Sequence, residues 1–289
     1  VRPNKIVHEL MDIGYSQEEI RSELRENHHI QDKKIDLLLK ISLNQRPFIV
    51  QNRDKQVGMY ISIPFCPTRC LYCSFPSNKL DRNKKNQMSD YLKALEYEIR
   101  GIGEVLKRAD KSIETLYIGG GTPTILSAPQ LDSLLFILNK NMNMEKIKEI
   151  TVEAGRPDTI TYDKLAILKK YGVKRISINP QTMNQETLGQ IGRDHTVESL
   201  YRAYEIAEKL KFDTINMDVI IGLPGESVEM FENTIQKIAL LKPENITVHT
   251  LAIKTNSRLK KTMEKYRFAD VEELENMLNI SKKYTAKLG

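Results

Sequence analysis

The chain has 289 residues, of which 40% are hydrophobic and 28% charged, and its formal net charge at pH 7 is +6. This is an ordinary globular composition, large enough for a sizeable core in one large domain, with or without an appendage. No run of 18 apolar residues could span a membrane, no signal-like segment opens the chain, and its three cysteines cannot close into a disulfide framework without one left over. The sequence therefore predicts a soluble protein of a reducing, cytoplasmic compartment.

The first part of the chain, residues 1–50, is predicted to be a small helical appendage. Apolar residues recur there at helical spacing, Ser16 with Glu19 forms a capping box, and Asp32 is predicted to cap a further helix. Pro47 and the polar stretch that follows mark its end.

From residue 57 the pattern changes to six short β-branched or apolar runs, each followed by a loop and a segment of helical periodicity. The runs lie at 57–63, 113–119, 148–154, 173–179, 213–220 and 244–251. The intervening helices are predicted at 91–106, 129–138, 162–171, 197–210 and 228–241. Such alternation predicts parallel βαβ units, because parallel neighbours need a crossover connection. The pattern leaves open whether the strands form an open doubly wound sheet or a full or partial barrel.

Gly and Pro cluster after the strands, in GGGTPT, GRPDT and GLPGE. Elaborate loops at the carboxyl ends of strands are where α/β folds carry their chemistry, which favours an enzyme.

All the cysteines, Cys66, Cys70 and Cys73, fall within eight positions directly after the first strand. A structural zinc ion takes four ligands, and no fourth Cys or His lies nearby in the sequence. On a four-iron cluster, three thiolates leave one iron open to coordinate a small molecule and pass it an electron. A tricysteine zinc or thiol site is the alternative.

The cysteine spacing, with Tyr72 before the third cysteine, resembles the signature of the radical S-adenosylmethionine (SAM) superfamily. A wider set of segments resembles the oxygen-independent coproporphyrinogen III dehydrogenases, specifically the HemZ-like branch of the HemN family, over about residues 57–260. The segments are YISIPFCPTRCLYCSF, LYIGGGTPT, TVEAGRPDTIT, RISINPQTMNQETLGQIGRDHT, NMDVIIGLPGE and ITVHTLAIK. The resemblance implies a partial (β/α)6 barrel over 57–260, with 261–289 as the helical start of a carboxyl-terminal region that this chain truncates.

The resemblance also implies a [4Fe-4S] cluster on the three cysteines and SAM on its open iron. Tyr60, Gly120, Gly121, Thr122 and Glu153 occupy positions that contact this SAM in the family. Taken alone, the tyrosine suits a half-buried strand, the glycines a tight turn, and the glutamate an ordinary surface position.

A second SAM is implied at another set of positions: Tyr72, Gln181, Arg193, Asp218 and Ala252. The alternative for Arg193 and Asp218 is a plain ion pair between loop and strand. His249, on the sixth strand, suits a hydrogen-bonded core residue as well as a functional one.

Two positions depart from the HemN-type pattern: Ser62 replaces the histidine of Tyr-x-His, and Phe75 replaces an additional cysteine. Phe75 is of the kind found in the HemZ-like branch and in the related haem chaperone. The chaperone's His-Asn-x-x-x-Tyr pattern is not present, although this chain stops before the region where it would lie.

The family reaction is the oxidative decarboxylation of two propionates of coproporphyrinogen III to give protoporphyrinogen IX. Arg193, Arg156 and the basic run at 258–267 are candidates to hold the substrate carboxylates. Otherwise that run and the one at 79–85 are predicted to be solvated faces. A flavodoxin or ferredoxin is the expected electron donor, and a monomer that binds no nucleic acid is expected. The alternatives are a haem chaperone of the same fold and a radical SAM enzyme acting on another substrate, such as RNA.

Overall fold

A computed structural model describes residues 3–49, 54–79 and 86–286. The chain divides into two compact units, a helical unit (Val1–Lys55) and a barrel unit (Gln56–Gly289). Within the described ranges, no helix is both long and apolar enough to cross a membrane.

The described residues of the helical unit form three α-helices, α1 (Pro3–Asp12), α2 (Gln17–Glu26) and α3 (Asp32–Gln45), followed by a 3-10 turn (Arg46–Phe48). Their apolar faces meet in one core, formed by Val7, Ile20, Leu24, Ile35, Leu38 and Leu39. The predicted capping box is confirmed, because the Ser16 hydroxyl accepts from the Glu19 amide while the Glu19 carboxylate accepts from the Ser16 amide.

The predicted cap at Asp32 is wrong. Asp32 is the first residue of α3, and the residue at the cap position, Gln31, makes no side-chain cap bond. The Asp32 carboxylate instead pairs with Arg25 of α2, with 2.6 Å between Nη2 and Oδ1. The carboxylate therefore bonds to a charged residue of another helix rather than to the backbone amides in the first turn of α3. Most of the polar stretch after Pro47 lies outside the described residues.

The described part of the barrel unit contains eight strands. They are β1 (Gln56–Ile63), β2 (Phe65–Cys66), β3 (Asn78–Lys79), β4 (Ser112–Gly120), β5 (Glu149–Glu153), β6 (Arg175–Ser177), β7 (Thr214–Ile221) and β8 (Asn245–Thr250). The two-residue strands β2 and β3 pair with each other, and the remaining six form one parallel sheet in the order β1-β4-β5-β6-β7-β8. All six predicted strands are therefore confirmed.

Seven α-helices accompany these strands among the residues that the structure describes. They are α4 (Gln87–Arg108), α5 (Ala128–Met142), α6 (Tyr162–Lys170), α7 (Gln185–Gln190), α8 (Val197–Lys209), α9 (Val228–Leu241) and α10 (Val271–Thr285). The sheet order follows the chain without reversal, whereas a doubly wound sheet reverses at a switch point. The winding is therefore that of a partial (β/α)6 barrel. The last helix, α10, packs on α9 and buries Met277; a separate region from residue 261 stays a prediction.

Alternate residues of each strand point to opposite sides of the sheet. Ile118, Val152 and Ile176 point outward and are fully buried in the core that the strands share with the helices. The neighbouring residues along the same strands, such as Thr151 and Ser177, point inward and face a central cavity. Parallel winding brings the carboxyl end of every strand to the same rim of this cavity, so the loops that follow the strands meet there.

Candidate active site

The central cavity has a volume of about 660 Å³ and lies among the inner strand faces and the loops at their carboxyl ends. This is a common size for a small-molecule or cofactor site. Of the site residues predicted from the sequence, all but Tyr60 line it: Cys66, Cys70, Tyr72, Cys73, Gly120, Gly121, Thr122, Glu153, Gln181, Arg193, Asp218 and Ala252. That these residues bind a cluster and SAM stays a prediction; their convergence on one cavity is what the fold provides.

The cysteine loop (residues 66–73) is fixed by bonds to distant parts of the chain. The Leu71 amide donates to the Ile191 carbonyl at 2.8 Å, and the Leu71 carbonyl accepts from the Leu259 amide at 2.9 Å. The Thr68 hydroxyl donates to the carbonyl of Gly192 at 2.9 Å. The loop between the cysteines is thus anchored independently of any metal.

The environments of the thiols differ. Burial acts to raise the pKa of the Cys70 thiol, but the guanidinium groups of Arg193 and Arg156 outweigh it and hold that pKa below its usual value. At Cys73 burial dominates and raises the thiol pKa. Since the thiolate is the metal ligand, the nearby arginines favour ligation at Cys70.

Among the described residues, no three His, Cys, Asp or Glu side chains come together as ligands of one metal ion. A four-iron cluster does not require its three cysteines to meet at one metal ion, because each cysteine ligates its own iron. Three thiols lining one cavity beside two guanidinium groups are a donor set that fits such a cluster.

The glycine turn (residues 119–122) lies against the cysteine loop. A Cβ built on Gly121 would be 2.5 Å from the Phe65 carbonyl oxygen and 2.9 Å from the Cys66 sulfur. Gly120 adopts a φ of 107°, which favours glycine, and a Cβ there would be 2.6 Å from Ser62 Oγ. The Thr122 hydroxyl donates to the Cys66 sulfur at 3.6 Å. Gly120 and Gly121 can lie this close to the segment that carries Cys66 only because they have no side chains.

Glu153 ends β5 and presents its carboxylate to the cavity. One oxygen accepts from the Tyr117 hydroxyl at 2.6 Å and the other from the Gly120 amide at 3.2 Å. Burial raises the pKa of Glu153, and these two hydrogen bonds act in the opposite direction. Glu153 is thus not the plain surface residue that its sequence position allowed.

Tyr60 lies beside the cavity, where its ring stacks on Tyr117 with centroids 5.7 Å apart. Tyr117 was not among the predicted site residues, yet it connects Tyr60 to Glu153. Its signal in the sequence was its place in LYIGG, two residues before the glycine turn and therefore on the same strand face as Gly119.

Gln181 and Arg193 are nearly buried, with 7% and 6% of their surfaces exposed. Gln181 adopts a left-handed φ of 67°, and its side-chain oxygen has no hydrogen-bond partner among the described residues. The Arg193 guanidinium donates to the Asn179 carbonyl and leaves Nε unpaired. Unpaired polar atoms at such burial are costly without a ligand, so both side chains suit a binding site.

The alternative ion pair between Arg193 and Asp218 does not form between these two described residues. The Asp218 carboxylate accepts from the Asn216 amide at 2.7 Å and lies 3.9 Å from Nε2 of His249. His249 lines the cavity with about half of its side chain exposed, so it is not a core residue.

Arg156 has a structural role besides the one that its charge suggested. It is only 3% exposed and donates to both oxygens of Asp158, at 2.9 and 3.2 Å, and to the Thr68 hydroxyl at 3.0 Å. These three hydrogen bonds make Arg156 a link between Asp158 and the cysteine loop, and its contact with substrate carboxylates stays a prediction. Most of the basic run at 79–85 lies outside the described residues.

A buried carboxyl holds the loop that carries Gln181. Glu226 accepts from the Thr182 hydroxyl, which in turn lies 3.1 Å from the Thr234 hydroxyl. Burial raises the pKa of Glu226 to about 7, despite opposing hydrogen bonds from Thr182 and Thr187. One carboxyl oxygen has no partner.

This burial predicts a pH dependence of stability. Below the ordinary pKa of 4.5 the Glu226 carboxyl is protonated in both the folded and unfolded states. As pH rises through 7, the folded state becomes less stable by about 3 kcal/mol, because only the unfolded carboxylate is freely solvated. Glu226→Gln removes this effect, so the unfolding free energy of the wild type minus that of the variant should fall by about that amount between about pH 4 and pH 8. Urea denaturation measures it.

The matched control is Glu205→Gln, which alters an exposed glutamate of α8. Its difference from the wild type should change little over the same pH range. A Glu226→Gln difference as flat as this control would mean that the buried carboxyl is ionised throughout.

Comparison with known proteins identifies the class. The model of the Radical SAM superfamily matches residues 60–238, which include the three cysteines, the glycine turn and Glu153. The chain belongs to the radical SAM superfamily.

Its relatives within the superfamily are more specific. The chain is 42% identical over 293 residues to the oxygen-independent coproporphyrinogen-III oxidase-like protein HemZ of Bacillus subtilis, covering 100% of this chain and 58% of that protein. It is 34% identical over 209 residues to the heme chaperone HemW of the same organism, covering 72% and 54%. The solved coproporphyrinogen III oxidase HemN of Escherichia coli matches with a TM-score of 0.72 and 26% identity, covering 82% and 53%.

The expected resemblance to the HemZ-like branch of the HemN family is confirmed, and so is the fold. The chain spans little more than half the length of these relatives. Membership implies a [4Fe-4S] cluster and SAM as cofactors; how many SAM molecules bind stays a prediction.

Proposed function

We propose that this chain carries the catalytic centre of a radical SAM oxidoreductase that converts coproporphyrinogen III to protoporphyrinogen IX. The observation that supports it most directly is the single cavity that collects the three thiols, the glycine turn and Glu153. The relative with 42% identity, whose name is that of a coproporphyrinogen-III oxidase-like protein, supports the substrate class.

In this proposal, Cys66, Cys70 and Cys73 hold the cluster. Gly120, Gly121 and Glu153 bind SAM: the turn admits its methionyl group, and the carboxylate accepts from its ammonium. Tyr117 orients that carboxylate through its 2.6 Å hydrogen bond. When bound, the cluster and SAM supply a one-electron cleavage that produces a hydrogen-abstracting radical.

The other residues position and protect the substrate. Each propionate loses a hydrogen atom, CO2 and one electron, the last to a one-electron acceptor, and becomes a vinyl group. Five further residues that line the cavity are proposed to hold a second SAM or the substrate: Tyr72, Gln181, Arg193, Asp218 and Ala252. A flavodoxin or ferredoxin is the proposed electron donor, in a cytoplasmic monomer.

The test is anaerobic turnover of the reconstituted protein with a low-potential reductant and SAM, with and without coproporphyrinogen III. We expect 5'-deoxyadenosine formation that depends on the porphyrinogen, together with vinyl porphyrins by chromatography, and neither from Cys70→Ser. A wild-type protein with an intact cluster that cleaves SAM without any stimulation by the porphyrinogen would contradict the proposal.

A second function is favoured by the 34% identity to the heme chaperone HemW and by Phe75, which lines the cavity with an exposed ring. A haem chaperone of this fold would bind haem stoichiometrically. Haem titration followed by transfer to an apo-haem protein tests it, and transfer without any vinyl product would replace the first function with this one.

A further inference from the structure

One arginine on the inner face of the sheet makes no side-chain hydrogen bond or ion pair with another described residue. Arg175 begins β6, and both it and Ser177 line the cavity, while Ile176 between them is buried on the opposite side of the sheet. The two side chains therefore share the inner face of one strand, roughly 6 to 7 Å apart along it.

Two other arginines that line the cavity are already engaged, and two further cations, Arg69 and Lys254, line it from loops rather than from an inner strand face. Among the described residues, Arg156 pairs with Asp158 and Arg193 donates to the Asn179 carbonyl. No hydrogen bond or ion pair within those residues reaches the side chain of Arg175 or Ser177. A partly buried guanidinium without an acceptor is unfavourable unless a ligand provides one.

The two carboxylates that line the cavity already accept hydrogen bonds from other groups. Glu153 accepts from Tyr117 and Gly120. The Asp218 carboxylate accepts from Asn216, whose own side-chain oxygen accepts from Asn245 and Thr247 at 2.6 and 2.9 Å. Each of these groups thus has a partner, whereas the Arg175 guanidinium and the Ser177 hydroxyl, on one wall of the cavity, make no hydrogen bond within the part of the chain that the structure describes.

We propose that Arg175 and Ser177 form a carboxylate-binding subsite inside the barrel. A guanidinium presents two parallel N–H groups that match the two oxygens of a carboxylate, and the serine hydroxyl adds a third donor. Two sources could supply this carboxylate: a propionate of the tetrapyrrole or the amino-acid carboxylate of SAM. The tetrapyrrole source rests on the proposed function.

The test compares ligands and variants by equilibrium titration of the anaerobically reconstituted chain. The probes are coproporphyrin III, its tetramethyl ester and SAM, and the variants are Arg175→Met, Arg175→Lys and Ser177→Ala. The matched control is Lys174→Met, which removes the same charge one residue away, at an exposed position that does not line this cavity.

We expect Arg175→Met to weaken coproporphyrin III binding about tenfold or more, because it removes hydrogen bonds to a charged group. Arg175→Lys keeps the charge but loses the two parallel N–H groups of the guanidinium, so it should weaken coproporphyrin III binding less than Arg175→Met does. Ser177→Ala should weaken this binding several-fold. The ester should bind the wild type and Arg175→Met equally. If only SAM binding weakens in Arg175→Met, the subsite stands and takes the carboxylate of SAM.

Equal affinity of Arg175→Met and Lys174→Met for both coproporphyrin III and SAM would overturn the subsite. Ser177→Ala decides the same question if Arg175→Met fails to fold, which an unfolding midpoint reveals. The two proposals fail separately: Arg175-dependent binding without vinyl product defeats only the reaction, and turnover with Arg175-independent binding defeats only the subsite.

Discussion

Gly121→Ala is expected to reduce the iron content of the reconstituted protein to a small fraction of the wild-type value. The added methyl group would lie 2.5 Å from the Phe65 carbonyl oxygen and 2.9 Å from the Cys66 sulfur, distances that real Cβ atoms do not tolerate. The turn cannot easily retreat, because the Gly121 amide donates to the Ile63 carbonyl at 2.9 Å. The cysteine loop must therefore move to relieve the clash, and this movement displaces Cys66, a proposed ligand of the cluster.

Gly101→Ala is the matched control. Gly101 lies within α4 with nothing within 4 Å of its Cβ position, and alanine in a helix is favoured over glycine by about 1 kcal/mol. This variant should keep wild-type iron content and unfold at a slightly higher temperature. Iron and sulfide analysis with the visible absorption spectrum measures both proteins, and a Gly121→Ala protein with the iron content of the control would contradict the clash.

The contrast between these glycines shows what a sequence can predict about this site. The cysteine spacing and the glycines after a strand locate a site at the carboxyl ends of the strands, because parallel strands all end at one rim. The approach of Gly121 to Cys66 results from the pairing of β1 with β4, which places residues more than 50 positions apart in the sequence side by side. Periodicity within a strand carries no information about that register.

Short and paired features were the harder ones to predict. Helix α7 has six residues, fewer than two turns, and is therefore too short to show a helical repeat of apolar residues. Its one local signal in the sequence is Asn184, whose side chain accepts a hydrogen bond from the Thr187 amide. The choice between a barrel and a doubly wound sheet also depended on strand order, which alternating strands and helices do not encode. The partners of Arg156, Asp32 and Asp218 depended in the same way on tertiary neighbours.

Arg156→Met is expected to have the second large effect, lowering the unfolding free energy by about 3 kcal/mol. The guanidinium is held between Asp158 and Thr68, and removing one member of a buried pair leaves the other charge without compensation. The ring of His195 lies 4.0 Å from Asp158, and neither ring nitrogen has a hydrogen-bond partner within the described ranges. Burial lowers the pKa of His195 to about 3, and the neighbouring arginines add to this, so a neutral His195 cannot replace the lost cation.

The same variant should also disturb the cluster. Thr68 lies between Cys66 and Cys70, and Arg156 is one of the two cations that lower the Cys70 pKa. We therefore expect less iron per chain, and for the cluster that remains, a shifted reduction potential. Arg202→Met is the control, because Arg202 makes an exposed ion pair with Glu198 within α8 and such pairs contribute at most about 1 kcal/mol.

Arg156→Lys separates geometry from charge. Lysine keeps the positive charge but cannot donate to both oxygens of Asp158 and to Thr68 as a rigid fork, so it should recover part of the stability and less of the iron content. Urea denaturation of the iron-free chain gives the stability, and redox titration of the reconstituted protein gives the potential. If Arg156→Met matched Arg202→Met in both measurements, the cysteine loop would have to be positioned by its backbone bonds to Ile191 and Leu259 alone.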